Sequence, residues 1–166
     1  EEAVAQAMVT PSEQVLEQLI KDCVGTKVHP NHFHLFKARH TLLQLYGRTS
    51  EVFSSEVWKK KEKMCQEFLD LCYLLDPGLA RLGPYAGVAL YEYEDAVMIR
   101  VQKLASKEYY DQKVVDQGIA IAKSLLQKCI KTLQDEPEDQ PEGKLKIIAQ
   151  KKLTEIGLLT SKDQKS

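Results

Sequence analysis

Four histidines crowd one short stretch: His29, His32 and His34 lie within six residues, and His40 follows. Imidazole is the commonest side chain to bind a transition metal, so His-x-x-His-x-His raises the question of a metal site. The spacing argues against one. On a helix, residues two apart such as His32 and His34 point to different sides, and no Asp or Glu occurs between Val24 and Ser50 to complete a ligand set. We expect polar residues around a helix N-terminus, with one ring stacked on Phe33 or Phe36, and no metal. The thiols Cys23, Cys65, Cys72 and Cys129 contain no Cys-x-x-Cys pair, which disfavours a zinc ribbon or a disulfide scaffold. Cys65 and Cys72, seven apart on one helix, stand roughly 10.5 Å apart along its axis, too far to bridge. All four lie on apolar faces, where a thiol is inert core and not a nucleophile. No Gly-x-Ser-x-Gly elbow, His-Glu-x-x-His pair or phosphate-cradling glycine loop is present.

Two further clusters suit binding better than catalysis. Lys59, Lys60, Lys61 and Lys63 stand beside Trp58, but Glu56 and Glu62 dilute the charge, so a solvated helix face is expected there and not a nucleic-acid site. Tyr85, Tyr91 and Tyr93 alternate with Glu92, Glu94 and Asp95. Aromatic and acidic side chains at the mouth of a helical groove suit a basic, lysine-bearing peptide, and these six form the expected partner-binding site. The plainer reading is partly buried tyrosines with exposed carboxylates.

The elements that must position these residues are helices. All six prolines, Pro11, Pro30, Pro77, Pro84, Pro137 and Pro141, fall at or between stretches of helical periodicity. Thr10-Pro11-Ser12-Glu13 fits a capping box opening the first helix, and Gly25 can end it. A second helix begins near Pro30 or Asn31, buries Phe33 among others, and stops at Gly47. A third starts on Ser55 and reaches Asp76-Pro77-Gly78. A fourth runs from about Tyr85 or Ala86, and Asp111 caps a fifth with an apolar stripe from Val115 to Leu133. The acidic residues 134–143 are expected to be a mobile loop before a last helix over 144–157, with Ile148 inward and a polar tail over 158–166. Residues 1–9 read as the start of a fragment or the end of a preceding helix, and 10–133 as one domain. Period-2 alternation is missing, so the fold expected is all-α: five to six antiparallel helices in a tetratricopeptide-like array or a bundle.

Composition narrows the function classes. The chain has 166 residues, 23 Lys and Arg against 24 Asp and Glu, and a formal net charge of −1. That balance provides no field for nucleic acid or an anionic membrane surface. No uncharged run approaches the ~18 residues of a membrane span.

Three strings together resemble the C-terminal helical region of the SET and MYND domain-containing proteins, most strongly its arthropod branch. They are Val28-His29-Pro30-Asn31-His32-Phe33 with the Leu42 to Gly47 helix end, Leu74-Leu75-Asp76-Pro77-Gly78-Leu79-Ala80-Arg81, and Leu90-Tyr91-Glu92. The likeness extends over about residues 10 to 135. In that family a SET domain methylates lysine with S-adenosylmethionine, zinc-binding cysteine motifs flank it, and a tetratricopeptide-like helical domain closes the substrate cleft and receives partners. The resemblance is to that last part alone. The SET signature Asn-His-Ser-Cys does not occur, and Asn31-His32-Phe33-His34 shares only its first two letters. Gly83-Pro84-Tyr85 stands as an insertion after the Asp-Pro-Gly motif. The resemblance implies an intracellular, non-catalytic interaction domain, cytoplasmic or nuclear, that binds a protein or peptide, the family's own SET domain included. S-adenosylmethionine and zinc are implied only for the absent SET and MYND parts. A free-standing bundle enclosing a small apolar ligand is the alternative.

Overall fold

A computed structural model of the chain describes residues 11–23, 28–48 and 55–163. Among them are six helices and no strand: α1 (Glu13–Cys23), α2 (Phe33–Leu45), α3 (Ser55–Leu75), α4 (Gly83–Ala105), α5 (Gln112–Thr132) and α6 (Pro141–Asp163). The all-helical array is compatible with a tetratricopeptide-like bundle. It divides into two compact units, Glu1–Phe53 and Ser54–Ser166, where the sequence suggested one domain over 10–133. The expectations for Thr10, Gly25 and residues 1–9 lie outside the described residues.

In the first unit, α1 packs on α2. Ser12 starts α1, its Oγ accepting from the Val15 N–H at 3.3 Å. Glu13 instead reaches across the hairpin, where its Oε1 accepts from the Gly47 N–H at 3.0 Å. Gly47 adopts φ 81°, the left-handed conformation that lets the chain leave α2. Leu16, Leu35, Phe36, Ala38, Leu42 and Leu43 are buried, but Phe33, expected inside, is 55% exposed. It occupies the first helical position, and Lys37 Nζ lies 4.6 Å from its ring centroid.

In the second unit, α4 is the central helix and packs against α3, α5 and α6, while α5 also packs on α6. A helix with neighbours on several sides must be apolar or small nearly all round. Ala86, Gly87, Ala89, Leu90, Ala96, Val97 and Val101 meet that demand. Close approach of α4 and α5 relies on glycine. A Cβ on Gly87 would lie 2.4 Å from Leu133 Cδ2, and one on Gly118 would lie 2.3 Å from Val101 Cγ2.

The start of α4 is held from the turn before it. Leu82 at the N-cap has no side-chain cap bond. Asp76 supplies one from a distance: its Oδ2 accepts from the N–H groups of Arg81 at 2.7 Å and Leu82 at 2.9 Å. Those bonds hold the Asp76 carboxyl below its ordinary range. Within this turn it is Leu79, and not Gly78, that takes positive φ, at 53°. Asp111 caps α5 as expected, accepting from the Lys113 N–H at 2.9 Å.

The acidic segment before α6 departs from the expected loop. Lys146 Nζ donates to the carbonyls of Gln134 and Glu136, both at 3.0 Å, and a Cβ on Gly143 would collide with the Pro137 carbonyl. Two consecutive turns fill the space, and α6 begins at Pro141, where proline's missing N–H is harmless. The helix also continues through Gly157 to Asp163, so the tail assigned to 158–166 is helical over its described part. No helix among the described residues is long and apolar enough to cross a membrane.

Candidate functional site

The six residues read as one aromatic and acidic patch do not share a surface. Tyr91 to Asp95 are consecutive on α4, and a helix turns about 100° per residue, so five in a row travel around the whole cylinder. Glu92 faces α3. It is 4% exposed, and its Oε2 accepts from Lys61 Nζ at 2.6 Å. Glu94 is fully buried and accepts from Lys152 Nζ of α6, also at 2.6 Å. The expectation that these carboxylates stand exposed and steer a basic ligand is therefore corrected: both are spent on internal cations. Asp95, on the rim, shares Lys152 at 3.2 Å.

The tyrosines are equally dispersed. Tyr91 lies under Lys152, whose Nζ is 4.9 Å from its ring centroid, a cation–π contact. Burial raises the pKa of the Tyr91 hydroxyl, and burial followed by the nearby Glu62 raises that of Tyr93. Tyr85 is half-buried near the start of α4. The basic cluster is also broken up, since Lys61 is 1% exposed and Trp58 is 3% exposed. Glu62 turns to Arg100 of α4, whose Nε donates to it at 2.7 Å.

Lys61, Lys152 and Arg100 are the residues that sequence reasoning missed as partners, and spacing held the signal for two of them. Lys61 stands on the stripe Trp58, Lys61, Cys65, Phe68, Cys72, at alternating steps of three and four. Lys152 completes Leu145, Ala149, Lys152, Ile156 in the same way. Glu94 fills the gap in Gly87, Leu90, Glu94, Val97, Val101, and Glu92 that in Ala89, Glu92, Ala96. A charge on a core stripe is buried with a partner or not at all. In the buried core the Glu94 carboxyl is pushed up by desolvation despite Lys152, one of its oxygens having no hydrogen-bond partner among the described residues. The Lys152 ammonium, only partly covered, is held above its ordinary range by Glu94 and Asp95 against the opposing cost of burial.

Three of the thiols and two of the imidazoles have their surroundings set by the fold. Burial pushes Cys65, Cys72 and Cys129 each up to about 12, so they carry no thiolate near neutrality. Cys129 donates instead to the Gly87 carbonyl at 3.3 Å. His29 Nδ1 accepts from the Asn31 N–H, and His32 Nδ1 caps α2 by accepting from the His34 N–H. The rings of His32 and His34 lie near each other, 5.3 Å between centroids, and no group of three or more metal-ligating side chains assembles among the described residues.

An open cleft of about 530 Å³ instead lies at the end of the second unit where the α3–α4 turn meets the C-terminus of α5. Tyr73, Leu79 and Pro84 give it apolar lining, and Lys128, Lys131 and Thr132 of α5 line it as well. Its volume falls within the range of ligand sites, ~300–1,000 Å³. Beside it α3 ends on exposed apolar residues: Leu74 is 71% exposed, with Tyr73 and Leu75 at about 40%. Lys128 and Lys131 are one helical turn apart, and neither ammonium has a hydrogen bond or ion pair among the described residues. No family model, curated protein or solved structure matches this chain.

Proposed function

We propose that this chain is a non-catalytic helical domain that binds a protein or peptide, and that the cleft between the α3–α4 turn and the end of α5 is where it does so. One observation carries the reading: the charges of the helical interior are neutralised within the chain, whereas the cleft combines the apolar surfaces of Tyr73, Leu79 and Pro84 with two lysines that have no hydrogen bond or ion pair among the described residues. An exposed apolar surface rimmed by polar groups is a mark of interaction sites. The cleft is open, so it covers one side of a chain segment better than it encloses a small molecule, which usually loses most of its surface on binding. The alternative of a bundle around a small apolar ligand lacks such support, because α4 and α5 meet too closely at Gly87 and Gly118 to admit even one methyl group without movement.

The resemblance to SET and MYND domain-containing proteins rests on the sequence strings that carry it. It makes a SET domain one candidate partner, and it makes lysine methylation with S-adenosylmethionine the business of another part of such a protein.

Selection of a random peptide library against the full chain, followed by NMR titration of the selected sequences, tests the proposal. Saturable shifts gathered around Leu79, Pro84 and Thr132 are expected. A library that yields no saturable binder, or binders that shift only residues elsewhere, overturns it.

A further inference from the structure

We infer that the segment bound in this cleft is acidic, with an apolar side chain at its centre. The inference rests on the cleft being the binding site, and it reverses the lysine-bearing partner that the run of acidic residues on α4 suggests. Lys128 and Lys131 project from the same side of α5, a regular 21-residue helix, so their position is fixed by secondary structure and not by a flexible loop. Gly83 and Pro84, in the first turn of α4, also line the cleft, and the Asp76 carboxylate already answers the positive end of that helix.

Two carboxylates, Asp135 and Glu136, also border the cleft, and the balance turns on how they are compensated. Their turn already holds a cation, since Lys146 Nζ sits 3.0 Å from the Gln134 and Glu136 carbonyls. The same ammonium answers carbonyl groups at the negative end of α5. Asp135 accepts as well from the Gln134 side chain at 3.4 Å. Lys128 and Lys131 have no ion pair among the described residues, and with Lys146 held on the backbone of the acidic turn three cations stand against the two carboxylates, so the balance of charge at the cleft favours an incoming carboxylate. Tyr73, Leu79 and Pro84 supply the surface for the apolar anchor, which provides the larger part of the affinity, and the lysines set orientation and rate of encounter.

Three synthetic peptides with the same central leucine, flanked by glutamates, glutamines or lysines, are titrated into the full chain by fluorescence anisotropy. The acidic peptide should bind about tenfold or more tighter than the neutral one, a difference that shrinks with added salt, and the lysine peptide most weakly. The double variant K128E/K131E should invert that order. Both side chains are exposed, and circular dichroism with thermal melting checks that the variant remains folded; K128Q/K131Q, which should abolish the preference without inverting it, gives the second reading. Equal binding of all three peptides overturns the inference and leaves the binding site standing, whereas failure of all three while the selected library peptides bind overturns the inference alone. Failure of every peptide, selected ones included, removes the site as well. An acidic preference unchanged in K128E/K131E, or a short oligonucleotide that competes as well as the acidic peptide, also counts against it.

Discussion

The middle of α4 and the cleft at the end of α5 are both charged, and they use charge in opposite ways. Around α4, Lys61 meets Glu92 at 2.6 Å away from water, and the partly exposed Lys152 meets the buried Glu94 at the same distance, so these charges are answered within the fold. At the cleft, Lys128 and Lys131 face solvent without a hydrogen bond or ion pair of their ammonium groups among the described residues. The first region is rich in charge along the sequence and offers little to a visitor; the second is inconspicuous along the sequence and has its charges free. A cluster of residues on a helix becomes a surface only if its members return to one face, which requires steps of three and four and not one.

The largest effects should come from separating the pairs. Lys61→Met or Glu92→Leu alone leaves an uncompensated buried charge, and each should lose about 3–5 kcal/mol in urea unfolding. The joint variant should regain most of that loss, because an apolar pair of similar volume fits the same interface. If either single change proves neutral, the two residues are not paired internally and the contrast with the cleft fails.

Small residues in the same core come next. Gly87→Ala should cost about 1–3 kcal/mol, since its methyl group must displace the buried Leu133 side chain. Gly157→Ala, on α6 with open space around it, should stabilise by up to about 1 kcal/mol through helix propensity. Equal thermal shifts of the same sign would show that α4 and α5 are not packed as closely as described.

Acid should separate the two units. Desolvation lowers His40 to about 4 from its ordinary 6.5, so the unfolded chain takes up the proton first. The stability of the α1–α2 unit should therefore fall as pH drops from 6.5 towards 4. Asp76 responds lower: its carboxyl is held below 3.8, so the support it gives the start of α4 persists above that value and is lost as pH falls beneath it. Hydrogen exchange across this range should show amides of α2 opening before those at the start of α4. The reverse order would contradict the placement of His40 in a dry site.

Much of the fold was legible because its punctuation is local. Asp111 caps α5 two residues ahead, and Gly47 ends α2 by its own φ, so neither requires knowledge of the rest of the chain. The site was less legible because its determinants are long-range. Asp76 replaces a cap at Leu82 through a turn, Lys146 turns an acidic segment into two ordered turns, and the Glu94–Lys152 bond joins residues 58 positions apart. Heptad spacing could have placed Lys61, Glu92, Glu94 and Lys152 inside. No pattern in the sequence could have placed Tyr73 and Leu79 in one cleft with Lys128, since that depends on how α3, α4 and α5 meet.

The smallest effect on stability should accompany a large effect on binding. K128E/K131E should leave the unfolding free energy within about 0.5 kcal/mol, as surface changes usually do. The central claim is tested most directly by titrating the acidic peptide against that variant and against Asp95→Asn, which alters the one acidic residue of the α4 patch that remains on the rim. We predict that K128E/K131E loses binding at least about tenfold while Asp95→Asn binds as the parent chain does. Binding that survives K128E/K131E and changes with Asp95→Asn would return the site to α4 and contradict the account.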